Sequence, residues 1–388
     1  MKLRHVVVAS VVLTTVACAP IQKQGTAPTG GTAVKIGNQL PFDAASCSTS
    51  TKLPANVTPN GLLGALATAR PAVMECLVAP TSRGPAQTSK VLVKASLSEQ
   101  AGTYTITGEN LTPEGQACVQ KVMETGVPLA PIAKGAQPVS VEIDFSHEAG
   151  RSLGVTMGEN PVSDYSGAVR LGQAQWCDCY APFATTVPPT LKANIKLTKA
   201  QPNPTDVSFD PAGSPEGDAL AACLKGKMMA LPVAATDDIQ FTRNFTHFNS
   251  KATEPAANMT PEYRFFQLEL SRNLRTAEAN LALGAHEGAS DAYDSTLMKS
   301  QKAKGKMAGE VTAKCQQLMD AGNAWVSALQ AQQKAEQATL ASATELKAKD
   351  AMWAQAEGQL QQVTTRTQED LTNAQSRIKS DQEACARK

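Results

Sequence analysis

The sequence predicts an α+β chain: two tandem disulfide-stapled α-β-β-α-β sandwiches followed by an all-α hairpin or coiled coil. Three observations carry this reading. Landmarks recur about 100 residues apart, eight cysteines follow Cys18, and proline is absent after Pro261. Phe145-Ser146-His147 returns as Phe245-Thr246-His247, and Pro113-Glu114-Gly115 returns as Pro215-Glu216-Gly217. Cys118 and Cys223 follow the second pair, and Cys76-Leu77-Val78-Ala79-Pro80 corresponds to Cys179-Tyr180-Ala181-Pro182. Landmarks in one order at a near-constant offset indicate internal duplication. The expected units are residues 59–150 and 151–252, with a helical region over 253–388.

Each unit reads alike. A first helix is expected over Gly61 to Leu77, because Leu62, Leu63, Leu66, Val73 and Cys76 fall at helical spacing, and again over Pro161 to Tyr180. Lys90 to Leu97 and Leu191 to Leu197 alternate at period two and predict strands. Thr103 to Thr107 and Asp206 to Phe209 are the second strands. A second helix starts near Thr112 or Ser214, where proline at the first helical position and an acidic first turn suit an N-terminus. Val139 to Phe145 and Ile239 to Phe245 close the two units. Helices on one face of a small antiparallel sheet make a two-layer sandwich.

Units of some 90 residues have modest cores and gain from a staple. Pairing Cys76 with Cys118 and Cys179 with Cys223 joins the two helices of each copy. Closing loops of about 40 residues is worth roughly 3–4 kcal/mol in chain entropy. Cys177 stands two positions from Cys179, and Cys47 has no counterpart in the second copy. Cys47 with Cys177 is the favoured pair, although pairing among Cys47, Cys177 and Cys179 stays open. No histidine or further cysteine lies at ligand spacing, so no metal is expected.

From Thr260 onward Ala, Gln, Lys, Glu and Leu dominate. Thr260-Pro261 opens a helix expected to end at Gly284, with a second beginning near Ala289. Trp353, Ala356, Leu360, Val363, Thr367 and Ala374 fall at heptad-like spacing, and Leu371, Ile378 and Cys385 repeat every seven. If Cys315 and Cys385 bond within one chain, their shared midpoint puts an antiparallel turn near Lys349-Asp350. The alternative is a break at Gly322 and one helix to the end, about 90 Å long at about 1.5 Å per residue. Any disulfide would then join two chains.

The first residues read as an address. Lys2 and Arg4 precede the apolar run Val6 to Leu13, too short for a stable span, and Thr15-Val16-Ala17 leads into Cys18. This resembles a bacterial lipobox. The resemblance implies cleavage after residue 17, lipidation of Cys18 and, with Ala19 next, an outer-membrane destination facing periplasm or cell surface. Residues 18–58 then form a flexible tether, since Thr26-Ala27-Pro28-Thr29-Gly30-Gly31 has linker composition.

The pattern of Cys179-Tyr180 ending a first helix, a hairpin, Cys223 in a second helix and a closing strand resembles another family. It is that of the TonB C-terminal-like domain of myxobacterial gliding-motility proteins, the AgmX/PglI type. The likeness covers about residues 60–250; the first copy departs with Cys76-Leu77. It implies a binding module that contacts other envelope proteins, in some cases by strand addition at a sheet edge. The ending Ala386-Arg387-Lys388 resembles the outer-membrane lipoproteins joined to peptidoglycan through a final lysine, which implies attachment through Lys388.

Composition narrows the function classes. Lys+Arg number 36 and Asp+Glu 35, so no concentrated basic face is available for nucleic acid. Aromatics at 4 % leave few stacking platforms. No Walker loop, H-E-x-x-H or Cys-x-x-Cys stands in the chain, and no cofactor is expected. His147 and His247 are the sharpest catalytic candidates because they match across the repeat; the plainer reading is a strand-end residue copied by duplication. His286 falls between Gly284 and Gly288, as if in a turn. Asp370 interrupts an apolar stripe, as a register-setting polar residue would. The expectation is a non-catalytic scaffold or docking module for envelope proteins, with possible self-association through helices. The alternative is a structural peptidoglycan tether through the C-terminal helix and Lys388.

Overall fold

The structure, a computed structural model, describes residues 41–48, 50–54, 56–78, 88–148, 161–232, 235–257, 259–303 and 307–386. The first unit opens with α1 (Pro59–Thr68) and α2 (Arg70–Val78). Thr58 caps α1 by accepting from the Gly61 amide at 3.2 Å. The single helix expected over 61–77 is two, bent by 50°. Pro71 accounts for the break: its ring excludes the carbonyl of Ala67 from a continuous helix, and that carbonyl accepts instead from the Ala69 amide.

The hairpin of β2 (Thr88–Leu97) and β3 (Gly102–Glu109) follows, then α3 (Pro113–Gly126) and β4 (Val139–Glu148). Both β3 and β4 run antiparallel to the central β2, in the order β3-β2-β4. Val91, Val93, Ala95 and Leu97 are buried, while Lys90 and Lys94 face solvent and pair with Asp144 and Glu142. The period-two pattern thus chooses the face. Leu62, Leu66, Val73 and Leu77 meet Val119, Met123 and Phe145 over that buried face. Cys76–Cys118 joins α2 to α3.

The second unit contains α4 (Pro161–Gln173), the short α5 (Cys177–Tyr180), β5 (Leu191–Leu197), β6 (Asp206–Phe209), α6 (Pro215–Met229) and β7 (Ile239–Phe245). Its strand order is β6-β5-β7, with both outer strands antiparallel to β5. The helix expected over 161–180 breaks after Gln173. The indole of Trp176 folds back on Gly172, where a Cβ would lie 2.3 Å from the ring. Ser214 caps α6 as Thr112 caps α3, each accepting from a glycine amide at 3.1 Å. Cys179–Cys223 joins α5 to α6.

Residues 41–48, expected within the tether, are packed. β1 (Phe42–Asp43) runs parallel to β8 (His247–Phe248), and Phe42 is buried in the core of the second unit. Cys47 bonds Cys177 across a sequence separation of 130. The chain then crosses to the first unit, where the Thr51 amide donates to the Gly126 carbonyl at 2.7 Å. The second unit is therefore built from both sides of the first.

Three long antiparallel helices complete the molecule: α7 (Pro261–Lys302), α8 (Ala308–Lys349) and α9 (Ala354–Ala386). The expected ending at Gly284 does not occur, and α7 runs on to Lys302. Gly284 serves close approach instead. A Cβ there would lie 2.1 Å from Gly61, and one at Gly64 would lie 2.4 Å from the Leu281 amide nitrogen, so α1 seats directly on α7. Gly322 likewise sits inside α8, facing Ile378 and His286. The long-helix alternative is excluded by the turn at Asp350, which ends α8 and caps the next turn by accepting from the Met352 amide at 3.0 Å. Cys315 bonds Cys385 within the chain. Trp353, Ala356, Leu360, Thr367, Leu371 and Ala374 are buried, whereas Val363 and Ile378 are half-buried and Asp370 is exposed, outside the seam. No single described helix is long and apolar enough to cross a membrane.

Candidate functional site

A group of buried polar side chains lies where the first unit, the 41–48 strap and the second unit meet. α2 brings Glu75 and α4 brings Arg170, which form an ion pair at 2.5 Å with side chains 9 % and 6 % exposed. The Arg170 guanidinium also lies over the Phe42 ring at 5.5 Å. Removing either charge would strand the other in a poorly solvated place. Asp43 of the strap accepts from the Ser250 amide at 3.0 Å, the Ser250 hydroxyl at 2.8 Å and the Ala45 amide at 3.0 Å. Burial outweighs these bonds and raises the Asp43 carboxyl above its ordinary range.

His247 stands at the centre of the strap contact and is fully buried. Its Nδ1 lies 2.9 Å from the Pro189 carbonyl and its Nε2 3.3 Å from the Tyr180 hydroxyl. Gln173 donates to that hydroxyl at 2.8 Å. One tautomer satisfies the chain: Nδ1–H donates to the carbonyl, and Nε2 accepts from the hydroxyl. Burial, with the nearby charges of Arg170 and Arg243, pushes the imidazole down to about 4. Arg243 is pushed down to about 9 by burial and by Arg170, and donates to the Ser166 carbonyl at 3.3 Å. This arrangement holds a neutral imidazole by both nitrogens. It fixes the strap and leaves no ring nitrogen to act on a substrate. No protein-family model matches the chain, and neither does any curated protein or solved structure.

The other candidates fall elsewhere. His147 lies on β4 opposite Ser89 of β2, so the two matched histidines occupy different sheets. His286 is not in a turn; it is buried mid-helix, bonded to Asp381 at 2.9 Å and stacked on Trp325 at 5.3 Å. Asp381 and Trp325 escaped the sequence reading. The signal was present, since Asp381 continues the seven-residue series Leu360, Thr367, Ala374. Asp178 offers a ligand oxygen within 4.8 Å of the Cys179 and Cys223 sulfurs. Those sulfurs are bonded to each other and Asp178 pairs with Lys227 at 2.8 Å, so no thiolate is on offer.

Cys18 and Lys388 lie outside the described residues. So does Gly150-Arg151-Ser152-Leu153-Gly154, which spells G-x-S-x-G although no such elbow was expected.

One backbone feature is available to other chains. β3 is an edge strand of eight residues, and among the described residues no strand pairs with its outer side. Thr103, Thr105, Thr107 and Glu109 alternate outward along it. No proline or lysine protects that edge from strand addition.

Proposed function

We propose that this chain is an outer-membrane lipoprotein anchored through Cys18, and that it acts as a non-catalytic docking scaffold for other envelope proteins. In this reading the two stapled α-β-β-α-β units are tandem sandwiches of TonB C-terminal-like type, facing periplasm or cell surface. Four disulfides agree with an oxidising compartment. The unprotected outer edge of β3 is the observation that carries the docking reading. An extended partner segment would gain main-chain hydrogen bonds there, with Thr103, Thr105 and Thr107 selecting its side chains.

The test is site-specific photocross-linking in cells from Thr105, with exposed Glu369 on α9 as control. A reproducible envelope protein joined at Thr105 and absent at Glu369 supports the reading; identical adducts at both positions sink it. Cys18→Ala is expected to release the protein from the outer-membrane fraction. Deleting Lys388 separates docking from the peptidoglycan-tether alternative, because docking survives the deletion and a wall tether does not.

A further inference from the structure

The groove between α7 and α8 has the lining of a helix seam with one helix missing. Its cavity is about 470 Å³, closed at the side by residues 252–255. From α7 it takes Arg264, Leu268, Ser271 and Arg275, at steps of four, three and four. From α8 it takes Ala331, Lys334, Ala335, Ala338, Ala341, Ser342 and Glu345, among which Ala331, Ala335, Ala338, Ser342 and Glu345 step by four, three, four and three. Those steps are the heptad spacing by which one helix receives another. The bundle's own core uses the adjoining face of α8, with Gln332, Glu336, Thr339, Ala343 and Leu346 buried, and Ser342 lies where the two faces meet. A solvated helix face is normally charged or polar, yet Ala331, Ala338 and Ala341 are exposed here. Small residues let helix backbones approach closely, and this chain already uses the device where α1 seats on α7 through Gly61, Gly64 and Gly284.

The rim indicates the charge of the occupant. Arg275 is held by Glu278 at 2.6 Å and Glu345 by Lys349 at 2.9 Å. Arg264 and Lys334, on opposite walls, form no ion pair within 4.0 Å among the described residues, although Arg264 lies near enough to Glu345 to help hold its carboxyl low, and Glu254 is the one remaining acid. We propose that this groove docks an α-helix of a partner protein, some three to four turns long. Small apolar side chains would face Ala331, Ala335 and Ala338, and carboxylates would face Arg264 and Lys334. The proposal does not depend on the lipid anchor or on the β3 edge, which lies in another part of the fold.

The test uses the full-length chain and two labelled 21-residue helical peptides with Leu and Ala at the seam positions, one with Glu and one with Lys at the flanking positions. Fluorescence anisotropy is expected to detect the Glu peptide, with the Lys peptide at least tenfold weaker. Ala338→Trp fills the groove from an exposed position. It should weaken the Glu peptide tenfold or more while leaving the circular dichroism melt unchanged. Arg264→Glu with Lys334→Glu should reverse the preference. No binding of the Glu peptide, or binding indifferent to Ala338→Trp, overturns the proposal. So does a dimer in analytical ultracentrifugation that Ala338→Trp abolishes, because a second copy would then own the groove.

Discussion

The buried neutral imidazole of His247 makes a quantitative prediction about acid. In the unfolded chain this histidine takes a proton near its ordinary value of about 6.5, whereas in the folded chain it resists down to about 4. Between those values the unfolded state binds the extra proton, so stability is intact above about pH 6.5 and is lost as pH falls toward 4. At about 1.4 kcal/mol per pKa unit, the loss reaches roughly 2 kcal/mol at pH 5 and levels off near 3 kcal/mol below the folded value. The residue is fully buried, so solvent screening does not reduce this figure. The assay is urea unfolding of wild type and His247→Gln at pH 7.5 and pH 5. Glutamine keeps a donor and an acceptor but does not titrate, and other titrating groups cancel in the difference. At pH 7.5 the wild type is expected to be the more stable. At pH 5 that advantage should be smaller by about 2 kcal/mol. An advantage of equal size at both pH values would mean that His247 is not held neutral, and the strap contact described above would be wrong.

Three further outcomes follow from the same physical terms. Glu336 is fully buried between α8 and α9. One oxygen accepts from Gln332 at 2.8 Å and Thr367 at 2.9 Å, and the other has no partner among the described residues. Burial raises its carboxyl above the ordinary range, so its stability contribution fades as pH rises through the folded value. Glu336→Gln should stabilise the chain by about 1–2 kcal/mol at pH 7.5 and by little in acid, seen as a higher melting temperature only at the higher pH. Cys47→Ser with Cys177→Ser should cost roughly 4 kcal/mol by releasing a long loop. Hydrogen exchange should then rise in residues 41–48 and at His247 while the first sheet stays protected. Gly284→Val forces a Cβ into Gly61 and should cost about 3 kcal/mol or more, read as faster exchange in α1 with α8 and α9 little changed.

Much of this architecture is legible in the residues because local signals and tertiary demands agree. Val91, Val93, Ala95 and Leu97 alternate because one sheet face is buried, and Thr112-Pro113 and Ser214-Pro215 start helices because each supplies a cap and a fixed φ. The turn at Asp350 followed from covalent arithmetic on Cys315 and Cys385, not from turn residues. The errors share one cause. Gly284 and, in the long-helix alternative, Gly322 read as helix ends, but each is small because another element lies against it. Sequence spacing reports where a glycine relaxes the backbone and says nothing of a backbone arriving from 200 residues away. The strap was misread for a similar reason. Linker composition upstream extended the tether past Leu40, although Phe42 and Cys47 are residues that a folded core takes.

The strap bears on how a scaffold of this kind would work. Residues 41–48 complete the second unit, and the chain enters the first unit only afterwards. A pull on the N-terminal side of Phe42 therefore reaches β8 and α5 directly, through the parallel β1 pairing and the Cys47–Cys177 bond. The first unit is held separately, by Glu75–Arg170 against the second unit and by the glycine contact of α1 on α7. These contacts tie the two sheets and the helical rod into a single arrangement. If the chain hangs from Cys18, load would enter the molecule through the second unit rather than at the β3 edge or the α7–α8 groove. A docking surface of the kind proposed above would then lie away from the point where load enters, joined to it through Glu75–Arg170 and the glycine contact of α1 on α7.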